Sequence, residues 1–128
     1  MTYAQIYAGW QANPDAFWLT AAQAIDWTRP PTNGIDQQGN WFADGLVNTC
    51  HNAVDRHVLA GRGAQVAIIH DSPLTGTITP ITYADLQTRT AQLAGALLAQ
   101  GITTGDRVII YMPMVPEALV AIDRKSVV

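Results

Sequence analysis

The chain holds a single cysteine, Cys50, so no internal disulfide can form, and the paired-cysteine spacing of a structural zinc site is absent. Charge is scarce too: 13% of the 128 residues are Asp, Glu, Lys or Arg, the formal net charge is -3, and Lys125 is the only lysine. Without a cluster of Lys and Arg there is no electrostatic footprint for nucleic acid or an anionic lipid surface, which excludes both as expected partners. No apolar run approaches the roughly 20 residues of a membrane span, because the best one is broken at Pro113 and Pro116. The opening MTYAQIYAGWQ carries neither a basic n-region nor an apolar h-region. A soluble, cytoplasmic protein is expected. Internal repeats and low-complexity tracts are also missing, which removes solenoid and collagen-like folds. What the chain does have is 48% hydrophobic residues, enough for a core in one modest domain.

The best-determined stretch is ITPITYADLQTRTAQLAGALLAQGITTGDRVIIYMPMVP, from Ile78 to Pro116. Thr82 and Asp85 make the T-x-x-D form of a capping box, so a helix is expected from Tyr83. Its apolar stripe, Leu86, Thr90, Leu93, Ala94, Leu97 and Leu98, follows a 3.6-residue period. Gly101 supplies the left-handed residue of a Schellman cap, with Ile102 packing back on Leu97. Arg107 to Met112 is nearly continuous in apolar residues and is closed by Pro113, as for a strand covered on both faces. Upstream, Gln65 to His70 and Thr77 to about Ile81 read as a hairpin across Asp71 to Gly76. Earlier still, helices are expected near 3–11, 14–25 and 48–60. The second has Phe17, Ala21, Ala24 and Ile25 on one face, and the third has Cys50, Ala53, Val54, His57 and Val58. Thr28 to Asn40 is an irregular loop and the best linker candidate. The class is α/β.

Two words within this frame are distinctive. TYADL followed by GITTGDRVIIYMPMVPEALVA resembles the opening of the large domain in AMP-forming short-chain acyl-CoA synthetases, the acetyl- and propionyl-CoA synthetase family. GDRV alone suits many adenylate-forming enzymes, whereas YMPMVPEALVA, from Tyr111 to Ala121, is characteristic of the short-chain branch. The resemblance runs from about Trp10 to Ala121. It includes the family's helical arm, with its pattern of Trp10, Asn13-Pro14, Phe17-Trp18 and Asp26-Trp27, and the WFADG that precedes the first strand. NTCHNAVDRHVLAGRG is closer to the propionyl-CoA branch. The resemblance therefore implies an N-terminal helical arm over 1–62, followed over 63–122 by the first strands and helix of the adenylate-forming large domain, truncated.

Residues that resemble chemistry have simpler readings. Cys50-His51 with His57 could be metal ligands, but neighbours on a helix diverge by about 100° and no second Cys or carboxylate stands at a zinc spacing, so helix packing is favoured. Asp55-Arg56-His57 is a catalytic trio only in print, since successive helical residues face different ways. Asp71-Ser72 and Thr75-Gly76-Thr77 place hydroxyls near glycine without the lysine and convergent amides of a phosphate loop. The phosphate loop of the resembled family, rich in Ser, Thr and Gly and ending in Lys-Gly, does not occur. Trp10, Trp18, Trp27 and Trp41 fall in the arm, where packing is favoured over a sugar or base platform. No catalytic, cofactor-binding or metal-binding residue is assigned.

The ending reads as foreign. DRKSVV, residues 123–128, translates from GAT CGG AAG AGC GTC GTG, the start of a common sequencing adapter, and the tail is expected to be non-native. By resemblance the parent is an acid-thiol ligase. It would join propionate to ATP with Mg²⁺ as acyl-adenylate, then pass the acyl group to CoA, so a small carboxylate, ATP and CoA are the parent's partners. The fragment itself is expected to hold none of them and to be inactive. A fragment of an acetyl-CoA synthetase, or a self-standing binding or scaffold module, is the alternative.

Overall fold

The computed structural model describes residues 1–124, and these fall into two units, Met1–Asn48 and the chain from Thr49 onward. The last residues of the tail, 125–128, lie outside the described residues.

In the first unit, helix α1 spans Tyr3–Ala12. It opens on a reciprocal box in which the Gln5 amide donates to Thr2 Oγ1 and the Thr2 amide donates to Gln5 Oε1 at 2.8 Å. Asn13 ends α1 and begins α2, Pro14–Ala22, its Oδ1 accepting from the Ala16 amide at 3.0 Å while Pro14 sits at the first helical position. Regular α2 stops short of the expected Ile25. Its last turn tightens into bonds from Gln23, Ala24 and Ile25 to carbonyls three residues back, and the Trp27 indole donates to the Ala22 carbonyl at 2.8 Å. The covered face also differs from expectation. Ala21, Ala24 and Ile25 are exposed, and the packed residues are Phe17, Trp18, Leu19 and Ala22. The expected loop contains order of its own: β1, Trp27–Arg29, pairs antiparallel with β2, Leu46–Val47.

The second unit begins with a helix over 49–62. Two of its stretches, His51–Asp55 and Val58–Arg62, are wound wider than an α-helix. Widening the turn carries Ala53 off the expected face and leaves it exposed, while Cys50 and Val54 stay buried. Strands β3, Val66–Ser72, and β4, Thr77–Thr82, form the hairpin, with Ile68 opposite Ile81 and Ser72 opposite Thr77. Helix α3, Tyr83–Ala99, buries Leu86, Thr90 and Ala94 and partly covers Leu93 and Leu97, whereas Leu98 at the edge of the expected stripe is exposed. Beyond it the Gly101 amide donates to the Leu98 carbonyl and the Ile102 amide to that of Leu97, the paired bonds of a Schellman motif.

The expected strand from Arg107 to Met112 does not form. The segment has no pairing partner among the described residues. Its exposure still alternates: 41% at Val108, 90% at Ile109, 37% at Ile110, 98% at Tyr111 and 50% at Met112. One face is half covered and the other bare, so the two-sided cover inferred from the apolar run is also corrected. A ladder requires a neighbour to exchange backbone bonds, and among the described residues β3 and β4 pair only with each other. Helix α4, Pro116–Arg124, follows, with Pro116 at its start and Glu117 in its first turn as helix-opening residues. Its Val120 joins Val54, Ile81 and Leu86 in the core, flanked by Ala67, Ile68 and Leu93.

Candidate functional site

Three carboxylates organise the first unit's loop. Asp15 Oδ1 accepts from the amides of Gly34 at 2.6 Å and Ile35 at 3.2 Å. Asp36 accepts from the amides of Gln38 and Asn40 and from the Asn40 side chain. Asp44 Oδ2 accepts from the Thr32 amide and hydroxyl. These bonds favour the ionised form, so Asp36, chiefly through Asn40, and Asp44, chiefly through Thr32, are held below the usual carboxylate value. The acids are therefore engaged in shaping the loop. A cavity of about 580 Å³ lies in this unit beside Leu19, Ala22, Asp26, Trp27 and Pro30.

The aromatic residues pack on one another. Trp18 meets Phe17 at 5.3 Å and Trp41 at 5.2 Å, both edge-on, and Trp27 meets Phe42 at 5.5 Å. None of the four tryptophans is fully buried, and Trp41 is exposed.

In the second unit Asp55, Arg56 and His57 diverge. Asp55 Oδ1 accepts from Gln87 Nε2 at 2.8 Å, Arg56 donates to Asn52 Oδ1 at 3.3 Å, and the His57 ring lies against Tyr83 with centroids 4.7 Å apart. Proton relay among them is ruled out by these directions. Cys50 is buried and forms no disulfide. Among the described residues, no group of three or more His, Cys, Asp or Glu is placed to hold a metal ion. Cys50, Asp55, Gln87, Thr90 and Gln92 line a cavity of about 490 Å³, in whose wall the buried Thr90 hydroxyl has no hydrogen-bond partner. The hydroxyls of the hairpin turn are used within it: the Thr75 amide donates to Ser72 Oγ, the Thr75 and Thr77 hydroxyls bond at 2.7 Å, and the Gly76 amide donates to the Ser72 carbonyl at 2.8 Å. No helix among the described residues is long and apolar enough to cross a membrane.

Residues 3–53 match the family model for the acetyl-coenzyme A synthetase N-terminus, and residues 55–122 match that for the AMP-binding enzymes. The chain belongs to the AMP-binding enzyme family. Its relatives include the mitochondrial acyl-CoA synthetase short-chain family member 3 of Rattus norvegicus, 42% identical over 93% of this chain and 18% of that protein. Acetyl-coenzyme A synthetase 1 of Pseudomonas aeruginosa is 45% identical over 94% of this chain and 19% of its own length. Acetyl-coenzyme A synthetase of Mycolicibacterium smegmatis is 41% identical over 91% and 13%. The chain thus spans less than a fifth of these relatives, and it matches the N-terminus of the short-chain acyl-CoA synthetases.

Proposed function

We propose that this chain is the scaffold-forming N-terminal part of an AMP-forming acid-thiol ligase that activates propionate. The observation that carries the reading is the end-to-end order of the two family matches, 3–53 and then 55–122, on a single chain. In the proposed reaction a carboxylate oxygen of propionate attacks the α-phosphorus of ATP and pyrophosphate leaves. The CoA sulfur then attacks the acyl carbon, and AMP leaves. Both steps need donors and cations fixed around developing charge. We assign no catalytic residue to this chain: Asp15, Asp36 and Asp44 are committed to loop amides, Asp55 to Gln87 and Asp85 to Thr82. Mg²⁺ would neutralise phosphate charge in that reaction, and we assign it no ligand among the described residues. A buried cysteine outside any disulfide, Cys50, is in keeping with a reducing compartment such as the cytoplasm.

The propionyl reading is supported by NTCHNAVDRHVLAGRG. Acetate is the second reading, favoured by the 45% identity to an acetyl-coenzyme A synthetase. Carboxylate-dependent ATP–pyrophosphate exchange across acetate, propionate and butyrate tests both. The product of the uninterrupted gene should exchange fastest with propionate and the 128-residue chain no faster than a boiled control. Fastest exchange with acetate would replace the first reading by the second, and exchange by the short chain would replace both by a complete site within it.

A further inference from the structure

The surroundings of His57 are unfavourable to a proton. Its Nδ1 contacts the Arg62 guanidinium, its ring lies on Tyr83, and Arg56 adds a second cation from the same helix. Arg62 reaches back to His57 because Gly61 between them takes φ +77°, a left-handed conformation open to glycine at little cost. A neutral imidazole protonated on Nε2 accepts the Arg62 N–H at Nδ1. An imidazolium has no lone pair left and sets like charge against like.

The turn that this contact holds caps the next helix. The first amides of α3 have no partner inside the helix. Tyr83 donates to the Gln65 carbonyl at 3.0 Å, Ala84 to the Gly63 carbonyl at 3.0 Å, and Asp85 to Thr82 Oγ1 at 3.2 Å. The Gln65 amide in turn donates to the Arg62 carbonyl at 3.0 Å. We propose that the His57–Arg62 contact is an acid-released latch, whose opening on protonation of His57 frees residues 61–65 and uncaps the start of α3. The carboxylates that could compensate are engaged elsewhere, Asp85 with Thr82 and Asp55 with Gln87; Tyr83, the group that α3 brings to the ring, is neutral.

Burial first, then Arg62 and Arg56, lower the proton affinity of His57 below its usual value of 6.5. The latch is therefore complete above pH 6.5 and is lost as pH falls through the lower folded value. Hydrogen-exchange mass spectrometry on the 128-residue chain, corrected for intrinsic exchange, reads this directly. Protection of peptides over 61–66 and 82–88 should fall about tenfold between about pH 7.5 and about pH 5. His57→Gln, whose amide oxygen still accepts from Arg62 but does not titrate, should remove the pH dependence. Arg62→Met should exchange fast at both values. Equal protection at the two pH values in the unsubstituted chain, the same fall in His57→Gln, or full protection in Arg62→Met at the higher pH would each overturn the latch.

Discussion

Thr82 and Asp85 hold each other at the start of α3: the Asp85 amide donates to Thr82 Oγ1, and the Thr82 amide and hydroxyl donate to Asp85 Oδ2, the hydroxyl at 2.7 Å. Thr82→Ala removes the cap and should lower stability by about 1 kcal/mol, read as a drop in the urea midpoint. The same bonds, those from Thr82 foremost, keep the Asp85 carboxyl below 3.8. A carboxyl whose folded affinity for protons is depressed stabilises above its unfolded pKa and stops doing so as pH falls through the folded value. The unsubstituted chain should therefore lose midpoint as pH drops below 3.8, and Thr82→Ala should show a smaller loss over the same window. An equal loss in both would remove Asp85 from the account. This pair was legible in print because a capping box is local, needing two residue types at one spacing. His57 was not: the glycine that turns Arg62 back and the tyrosine that covers the ring lie at separations no motif encodes.

Among elements, the sequence served best where neighbours in the chain are neighbours in space. The hairpin β3–β4, α3 and the Gly101 stop all appear close to their expected places. Gly101 has φ +84° and nothing within 4 Å of where a Cβ would stand, so Gly101→Ala meets a backbone cost alone. It should lower the melting midpoint by the equivalent of about 1 kcal/mol, whereas Gly95→Ala, in the middle of α3 and equally uncrowded, should raise it. The misses share a cause. Wide turns in 49–62 and the short β1–β2 pair depend on what packs or pairs across distance, and apolar content at Arg107 to Met112 reports fitness for a sheet without supplying the second strand. Likewise α2 loses its last regular turn to Trp27, five residues beyond the carbonyl it takes.

At the scale of the whole molecule, the bare face of Ile109 and Tyr111 stands beside exposed Met114, and no proline interrupts 107–112. An unpaired extended segment of this composition is a template for pairing with other copies. Light scattering of the 128-residue chain should rise with concentration, and Ile109→Lys should flatten the curve while leaving the far-ultraviolet circular dichroism unchanged. A flat curve for the unsubstituted chain would show that the edge is already protected. The candidate chemistry was the least legible feature at this scale. Motifs could say which family the stretch opens, because such words lie within a few residues. An active site is assembled from segments far apart, and the relatives are more than five times as long as the stretch shared with them.

Val120 closes a cluster whose other members are Val54, Ile81 and Leu86. Synthesis runs from the N-terminus at roughly 5–20 residues per second, so on the ribosome these three emerge before the residue that completes them. Ile109, Ile110 and Tyr111 leave the exit tunnel in that same interval. A nascent chain therefore presents this apolar backbone just before its core can close, and a holdase that grips short aliphatic runs has roughly 0.5–2 seconds in which to act on it.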